Sequence, residues 1–263
     1  MRAIGAFLLL LFALSALPAA AQPGQARIAL VIGNSDYHGD LQPLPNATRD
    51  AGLISDVLEK AGFELVPLPN VCCDHDEMEA AIKDFRDRLR AEGPGAIGLF
   101  YFAGHGLQSY GMNYLMPDDA SVKSPEDISR YGVEADKVLW AMMRGGEANT
   151  NIVILDACRP NNVTKELRAV AREGLTEMDA RGLDPERNVM IAFSTGLGQT
   201  APDGDEGDNS PFTKTLAENI LVPDVAIEIL LRRVSAKLVK EGYQKPWYSS
   251  GMLDPFAFVG EAE

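Results

Sequence analysis

Residues 152–161 read IVILDACRPN. Four apolar residues run into an acid, a small residue, a cysteine and an arginine, and Pro160 ends the run. A short apolar segment closed by a proline reads as a buried strand. Strand alternation sets Asp156 and Cys158, two residues apart, on one side of it. A strand that delivers a carboxylate and a thiol at its end is the feature from which the rest of the chain is read.

Outward from it, apolar runs of strand length alternate with helical patterns. RIALVIG (27–33), FELVPLP (63–69), AIGLFYFAG (96–104), NIVILDA (151–157) and NVMIAFST (188–195) are the strand candidates. A helix from about Asn46 carries Leu53, Ile54, Val57, Leu58 and Ala61 on one face, and another sets Met78, Ile82, Phe85 and Leu89 in a stripe. A short helix is predicted around 135–143. A further one opens at Ser210-Pro211, a capping residue followed by proline in the first turn. The last helix runs from about Asp224 to Lys240, with Leu230, Val234 and Leu238 stacked, before a final extended piece over 245–259. Strands alternating with helices predict a mostly parallel α/β sheet covered on both faces. Neither an internal repeat nor a linker appears, so one domain is expected over 22–263.

Residues 1–21 read as a signal peptide: Arg2, the apolar run AFLLLLFALSAL, and Ala19-Ala20-Ala21 before Gln22. The run is short for a bilayer span, so export to a periplasm or out of the cell is expected, with no membrane attachment after its removal. The whole chain carries −14, and losing Arg2 gives −14 − 1 = −15. Such a chain repels nucleic acid and anionic membrane surfaces, and a charged partner is expected to be basic.

Cys72, Cys73 and Cys158 are an odd set for an exported protein, which leaves a thiol unpaired within the chain. Adjacent cysteines rarely bridge. Cys72, Cys73 and His75 fit no standard metal spacing, and the stretch reads as a loop before a helix with an acidic first turn (Asp74, Asp76, Glu77).

In an open α/β sheet ligands bind beyond the carboxyl ends of the strands. That rule gathers His105, after AIGLFYFAG, with Asp156 and Cys158, and brings Asp50 to the same rim. Thiol catalysis needs a thiolate, a proton acceptor and oxyanion donors. The chain has three histidines, His38, His75 and His105. His38 sits in a turn and His75 at a helix start. His105 lies between Gly104 and Gly106, which let backbone approach a substrate closely. The amides of Gly106 and Cys158 are the candidate oxyanion hole.

Caspases carry Q-A-C-[RQG]-G with a histidine about 50 residues upstream. Here the motif is D-A-C-R-P and the spacing is 158 − 105 = 53. YFAGHG and DACR resemble the caspase-like cysteine peptidases, and the Asp-x-Cys form resembles the paracaspase and metacaspase branches. RIALVIGNSDY, NATRDAGLISDVLEKAGFEL, MNYLMPDDA and SPFTKTL extend the resemblance over residues 26–259. It implies the caspase–haemoglobinase sandwich, with a six-stranded, mostly parallel sheet, and no organic cofactor. It implies an endopeptidase with Cys158 as nucleophile and His105 as proton shuttle.

Caspases cut after aspartate, which needs a basic pocket. Asp156, joined by Asp50 at the position of a paracaspase carboxylate, instead predicts pairing with Arg, then Lys. The alternative is that Asp156 caps local amides. A third pocket acid of paracaspases falls near Thr200, and Asp203 in the acidic loop APDGDEGDN (201–209) is the substitute. Trp247 in QKPWYSS lines the cleft in this reading, or else fills an edge of the core. Calcium, which metacaspases bind around the position of Asp118-Asp119, stays open, and no other metal is expected. The basic segment 159–187 stands where relatives are cut, and Arg168, Arg172 and Arg181 suit self-cleavage as well as a plain loop. Relatives are monomers or homodimers through the last strand. Two other functions compete: a non-catalytic module that binds basic peptides, and a metal or thiol-redox protein using Cys72-Cys73.

Overall fold

The structure is a computed structural model that describes residues 24–38, 41–68, 73–145, 150–157, 172–173, 178, 188–196 and 202–260. Five parallel strands form the main sheet: β1 (Arg27–Gly33), β2 (Glu64–Leu65), β3 (Ile97–Ala103), β7 (Thr150–Asp156) and β9 (Asn188–Phe193). An antiparallel edge strand, β10 (Trp247–Ser250), completes the order β10-β9-β7-β3-β1-β2. The central strands β1, β3 and β7 each carry an unbroken apolar run because both sides are covered. Leu99, Tyr101, Ile152 and Ile154 face one core, and Phe100, Phe102, Val153 and Leu155 the other. Each fully buried aliphatic or aromatic side chain there contributes roughly 1.5–3 kcal/mol.

Helices α1 (Ala47–Lys60), α5 (Pro211–Ile220) and α6 (Ile227–Lys240) supply the first core, with Ile54, Leu58, Leu216, Leu230, Val234 and Leu238. Helix α2 (His75–Glu92) supplies the second, with Met78, Ile82, Phe85 and Leu89. It starts on a reciprocal cap: Asp74 accepts from the Glu77 amide at 2.8 Å, and Glu77 accepts from the Asp74 amide at 3.1 Å. The π-helical turn Ala141–Gly145 follows α4 (Ala135–Trp140), and α3 (Pro125–Tyr131) precedes it. Helix α1 lies so close to β1 that a Cβ on Gly33 would stand 2.5 Å from the Ala47 carbonyl oxygen.

Two readings are corrected. FELVPLP pairs only at Glu64–Leu65, since Pro67 has no N–H for a ladder. The final extended piece is a strand only over Trp247–Ser250, with one further antiparallel bridge between Ala257 and Ala226. Helix α3 was not anticipated, nor was a four-stranded antiparallel sheet in the order β6-β5-β4-β8 at the carboxyl end of β3. It holds β4 (Gly106–Ser109), β5 (Met112–Leu115), β6 (Val133–Glu134) and β8 (Arg172–Glu173). The β4–β5 turn puts Tyr110 at φ 50° and Gly111 at φ 80°, the two positive values that a tight hairpin of this hand requires.

Candidate active site

Strands β3 and β7 end in register, Ala103 opposite Asp156, and the Gly104 amide donates to the Asp156 carbonyl at 3.3 Å. Two residues on, in each strand's exit, the sequence places His105 and Cys158. Cys158 lies outside the described residues, as do Thr200, Arg168 and Arg181; its neighbour Ala157 is buried.

His105 is held on three sides. Its amide donates to the Tyr37 hydroxyl at 3.0 Å, and that hydroxyl donates to the Met116 carbonyl at 2.8 Å. The Met116 amide returns to the His105 carbonyl at 2.9 Å. Tyr37 also meets the imidazole edge-on, ring centroids 4.5 Å apart. Imidazole Nε2 lies 2.8 Å from the Gln42 carbonyl oxygen. A carbonyl only accepts, so Nε2 carries a proton and Nδ1 is the basic nitrogen of the neutral ring. Gly104 leaves room for this: a Cβ there would stand 2.5 Å from the Tyr37 hydroxyl.

The Gly106 amide follows from the hairpin ladder. The Met116-to-His105 bond makes 105 and 116 the hydrogen-bonded pair, so Gly106 opposite Leu115 is the alternate pair and its N–H points away from β5. The candidate oxyanion donor is thereby turned out of the hairpin.

Asp50, on the first turn of α1, and Asp156, at the end of β7, are both fully buried. The N-terminus of α5 serves both. Asp50 accepts from the Ser210 amide at 2.9 Å and from Asn209 Nδ2 at 3.0 Å. Asp156 accepts from the Ser210 hydroxyl and, at 2.9 Å, from that of Thr213. With the Thr213 proton so used, Tyr101 is the donor across the 2.5 Å contact between their hydroxyls. Buried carboxylates need such donors, and the positive end of a helix favours them further. Asp156 thus accepts from side-chain hydroxyls where sequence reading had offered local amides as an alternative.

Asp203 is half-buried in the loop 202–209, which Asn46 pins from the helix start beside Asp50. Asn46 Nδ2 donates to the carbonyls of Asp203 at 3.0 Å and Asp205 at 2.9 Å, and Asn46 Oδ1 accepts from the Gly207 amide at 3.2 Å. Trp247 goes elsewhere. Its ring packs on Phe193, centroids 5.5 Å apart, in the core on the opposite side of the sheet from Asp50 and Asp156. Asp119 accepts from the His75 amide at 3.1 Å, and the Asp118 amide donates to the Cys73 carbonyl at 3.1 Å. Among the described residues no three His, Cys, Asp or Glu side chains gather as a metal site would require. Sequence reading missed Tyr37, Gln42, Asn46, Ser210 and Thr213. Asn46, Ser210 and Thr213 left a local trace, each at the start of a predicted helix.

A mostly parallel sheet with helices on both faces sets a held imidazole and two buried carboxylates at its carboxyl edge, an α/β class of fold. A family model described as Caspase domain matches residues 26–257. The chain belongs to that family, one of cysteine peptidases, and its fold is the caspase fold. It is 26% identical over 216 residues to the mucosa-associated lymphoid tissue lymphoma translocation protein 1 of Homo sapiens, covering 81% of this chain and 24% of that protein. The Mus musculus homolog is 27% identical over 219 residues, with the same coverage. The chain therefore spans about a quarter of those relatives' length. Among solved structures, a Geobacter sulfurreducens protein superposes with TM-score 0.61 at 15% identity, covering 90% of this chain and 95% of its own. Caspase-1 of Spodoptera frugiperda superposes with TM-score 0.58 at 17% identity, covering 90% of each chain.

Proposed function

We propose that this protein is an exported cysteine endopeptidase that cleaves on the carboxyl side of arginine and, less readily, lysine. The single observation that carries the specificity is the meeting of Asp50 and Asp156 at Ser210, on the rim where His105 stands. Two carboxylates one contact apart suit a guanidinium, which is planar and bidentate, better than the point charge of an ammonium. They repel aspartate, the residue that caspases select.

In this mechanism the Cys158 thiolate attacks the scissile carbonyl carbon, and the amides of Gly106 and Cys158 receive the developing oxyanion. As the C–N bond breaks, His105 passes to the leaving amine the proton that Nδ1 took from the Cys158 thiol, and Nδ1 then takes a proton from the water that hydrolyses the thioester and returns it to the Cys158 sulfur. Gln42, through its carbonyl, and Tyr37 hold the ring for both transfers. Asp203 extends the pocket's acidic edge, and Trp247 supports the neighbouring rim from the other face. Residues 1–21 are removed on export, and Arg168, Arg172 and Arg181 are sites for cleavage by a second copy or by the chain itself. The protein works as a monomer or homodimer, on protein or peptide substrates with basic residues.

The test uses residues 22–263 with fluorogenic arginyl, lysyl and aspartyl amides. Arg is expected ahead of Lys, with Asp not turned over, and Cys158→Ala is expected to lose at least about 10³-fold in kcat. Asp156→Ala removes the Arg preference. Turnover of the aspartyl amide, or an Arg preference unmoved by Asp156→Ala, refutes the pocket.

A further inference from the structure

Ser210 touches both carboxylates. It donates its backbone N–H to Asp50 at 2.9 Å and its hydroxyl to Asp156, and the same hydroxyl oxygen accepts the Thr213 amide at 3.0 Å. It is fully buried and caps α5. Its φ of −57° and ψ of 146° lie outside the helix, so the amide and the side chain are free to serve two different acceptors. A capping serine needs only to accept from the helix. Here the hydroxyl also has an outward donation, which turns a cap into a relay: Thr213 N–H to Ser210 Oγ, then Ser210 O–H to Asp156 Oδ2. Such chains polarise one another, so each bond strengthens the next.

We infer that Ser210 is a positioning residue of the basic-side-chain pocket, fixing the spacing and orientation of Asp50 and Asp156 so that the pair discriminates arginine from lysine. The inference rests on the specificity proposed above and assigns its geometry to a residue that the sequence marks only as a helix cap. Asp50 is carried by α1 and Asp156 by β7, two elements that reach the site from different directions. Without a shared partner their carboxylates have no common reference. Ser210 provides it, since one Cα carries both donors. Thr213, itself held by Tyr101 at 2.5 Å, sets the second hydroxyl on the same Asp156 oxygen and so fixes the plane of that carboxylate. A planar, two-toothed ligand depends on that plane. An ammonium, with three rotatable donors, depends on it little.

Three substitutions separate positioning from helix stability. Ser210→Ala removes the hydroxyl and the cap together. Ser210→Gly removes the hydroxyl but remains a tolerated cap, and leaves the backbone N–H to Asp50 in place. Ser210→Thr keeps the hydroxyl and is the rescue. For Ser210→Gly the expectation is an increase of roughly tenfold in KM for the arginyl substrate, with kcat within about twofold of the parent. The lysyl KM moves about threefold or less, so the Arg/Lys ratio of kcat/KM contracts, and Ser210→Thr restores most of it.

A parallel loss on both substrates, a loss carried by kcat, or an Arg/Lys ratio unchanged in Ser210→Gly would overturn the inference. Thermal melting of each variant is read alongside, so that a ratio change in a variant melting near the parent is not a folding defect. The two levels fail differently. A parent enzyme without a basic preference overturns the pocket and Ser210 with it, whereas a parent that prefers arginine beside an unaltered Ser210→Gly overturns Ser210 alone.

Discussion

The Tyr37 hydroxyl holds the backbone that carries the imidazole, accepting from the His105 amide and donating to Met116 across 3.0 and 2.8 Å. Both partners are buried, so deleting that oxygen strands a donor and an acceptor away from water. Tyr37→Phe is therefore expected to lower unfolding stability by about 1–3 kcal/mol, read by urea titration. On the arginyl substrate it should reduce kcat more than it alters KM, because the imidazole moves while the acidic pocket does not. A KM effect with kcat intact would place Tyr37 in substrate binding instead. His105, Asp50 and Asp156 were legible because each lies in or beside a strand exit or helix start that the sequence marks. Tyr37 and Gln42 were not. Their importance lies in bonds across 68 and 63 residues, which no local pattern encodes.

At the scale of elements, α5 is the hub: its first turn serves both carboxylates, and the loop 202–209 leads into it. That loop is tied back by an ion pair, Lys214 Nζ to Asp208 Oδ2 at 2.8 Å. Hydrogen bonding from Lys214 holds the Asp208 carboxyl below the usual aspartate range, and the Asn209 amide adds to this; Asp208 in turn raises Lys214. For the depressed acid, the tie is in force above the unfolded aspartate value and is lost as pH falls through the folded one. For the raised lysine, it is in force below the unfolded lysine value and is lost as pH climbs through the folded one. Protection of the loop from a protease, measured over short exposures, should thus be flat through neutral pH and fall at the acid end, and Asp208→Asn should remove that acid limb. A limb that persists in Asp208→Asn would assign it to another group. The main sheet was legible because five apolar runs fall at strand length between amphipathic helices. The second sheet was not, since its strands hold only two to four residues and its hairpin turns on Tyr110-Gly111, a weak signal beside Asn-Gly or Asp-Gly.

The molecule as a whole is strongly anionic, −14 for the full chain, while its proposed substrates are basic. Two electrostatic effects then act at different ranges. The surface field draws a basic peptide from a distance and is screened by salt, over about 30 Å at 0.01 M and about 10 Å at 0.1 M. In the proposed pocket the selecting charges are Asp50 and Asp156, both buried, and a buried pair is screened far less. Raising NaCl between those concentrations should lower kcat/KM for a basic arginyl peptide by roughly threefold or more, with kcat nearly constant. The Arg/Lys ratio should not move, because contact geometry sets it. An arginyl peptide with acidic flanks should respond in the opposite sense, gaining as repulsion is screened. Were both peptides to lose equally, salt would be acting on the enzyme's fold rather than on encounter; were the Arg/Lys ratio to collapse with salt, the selecting charges would be at the surface and not in the buried pair.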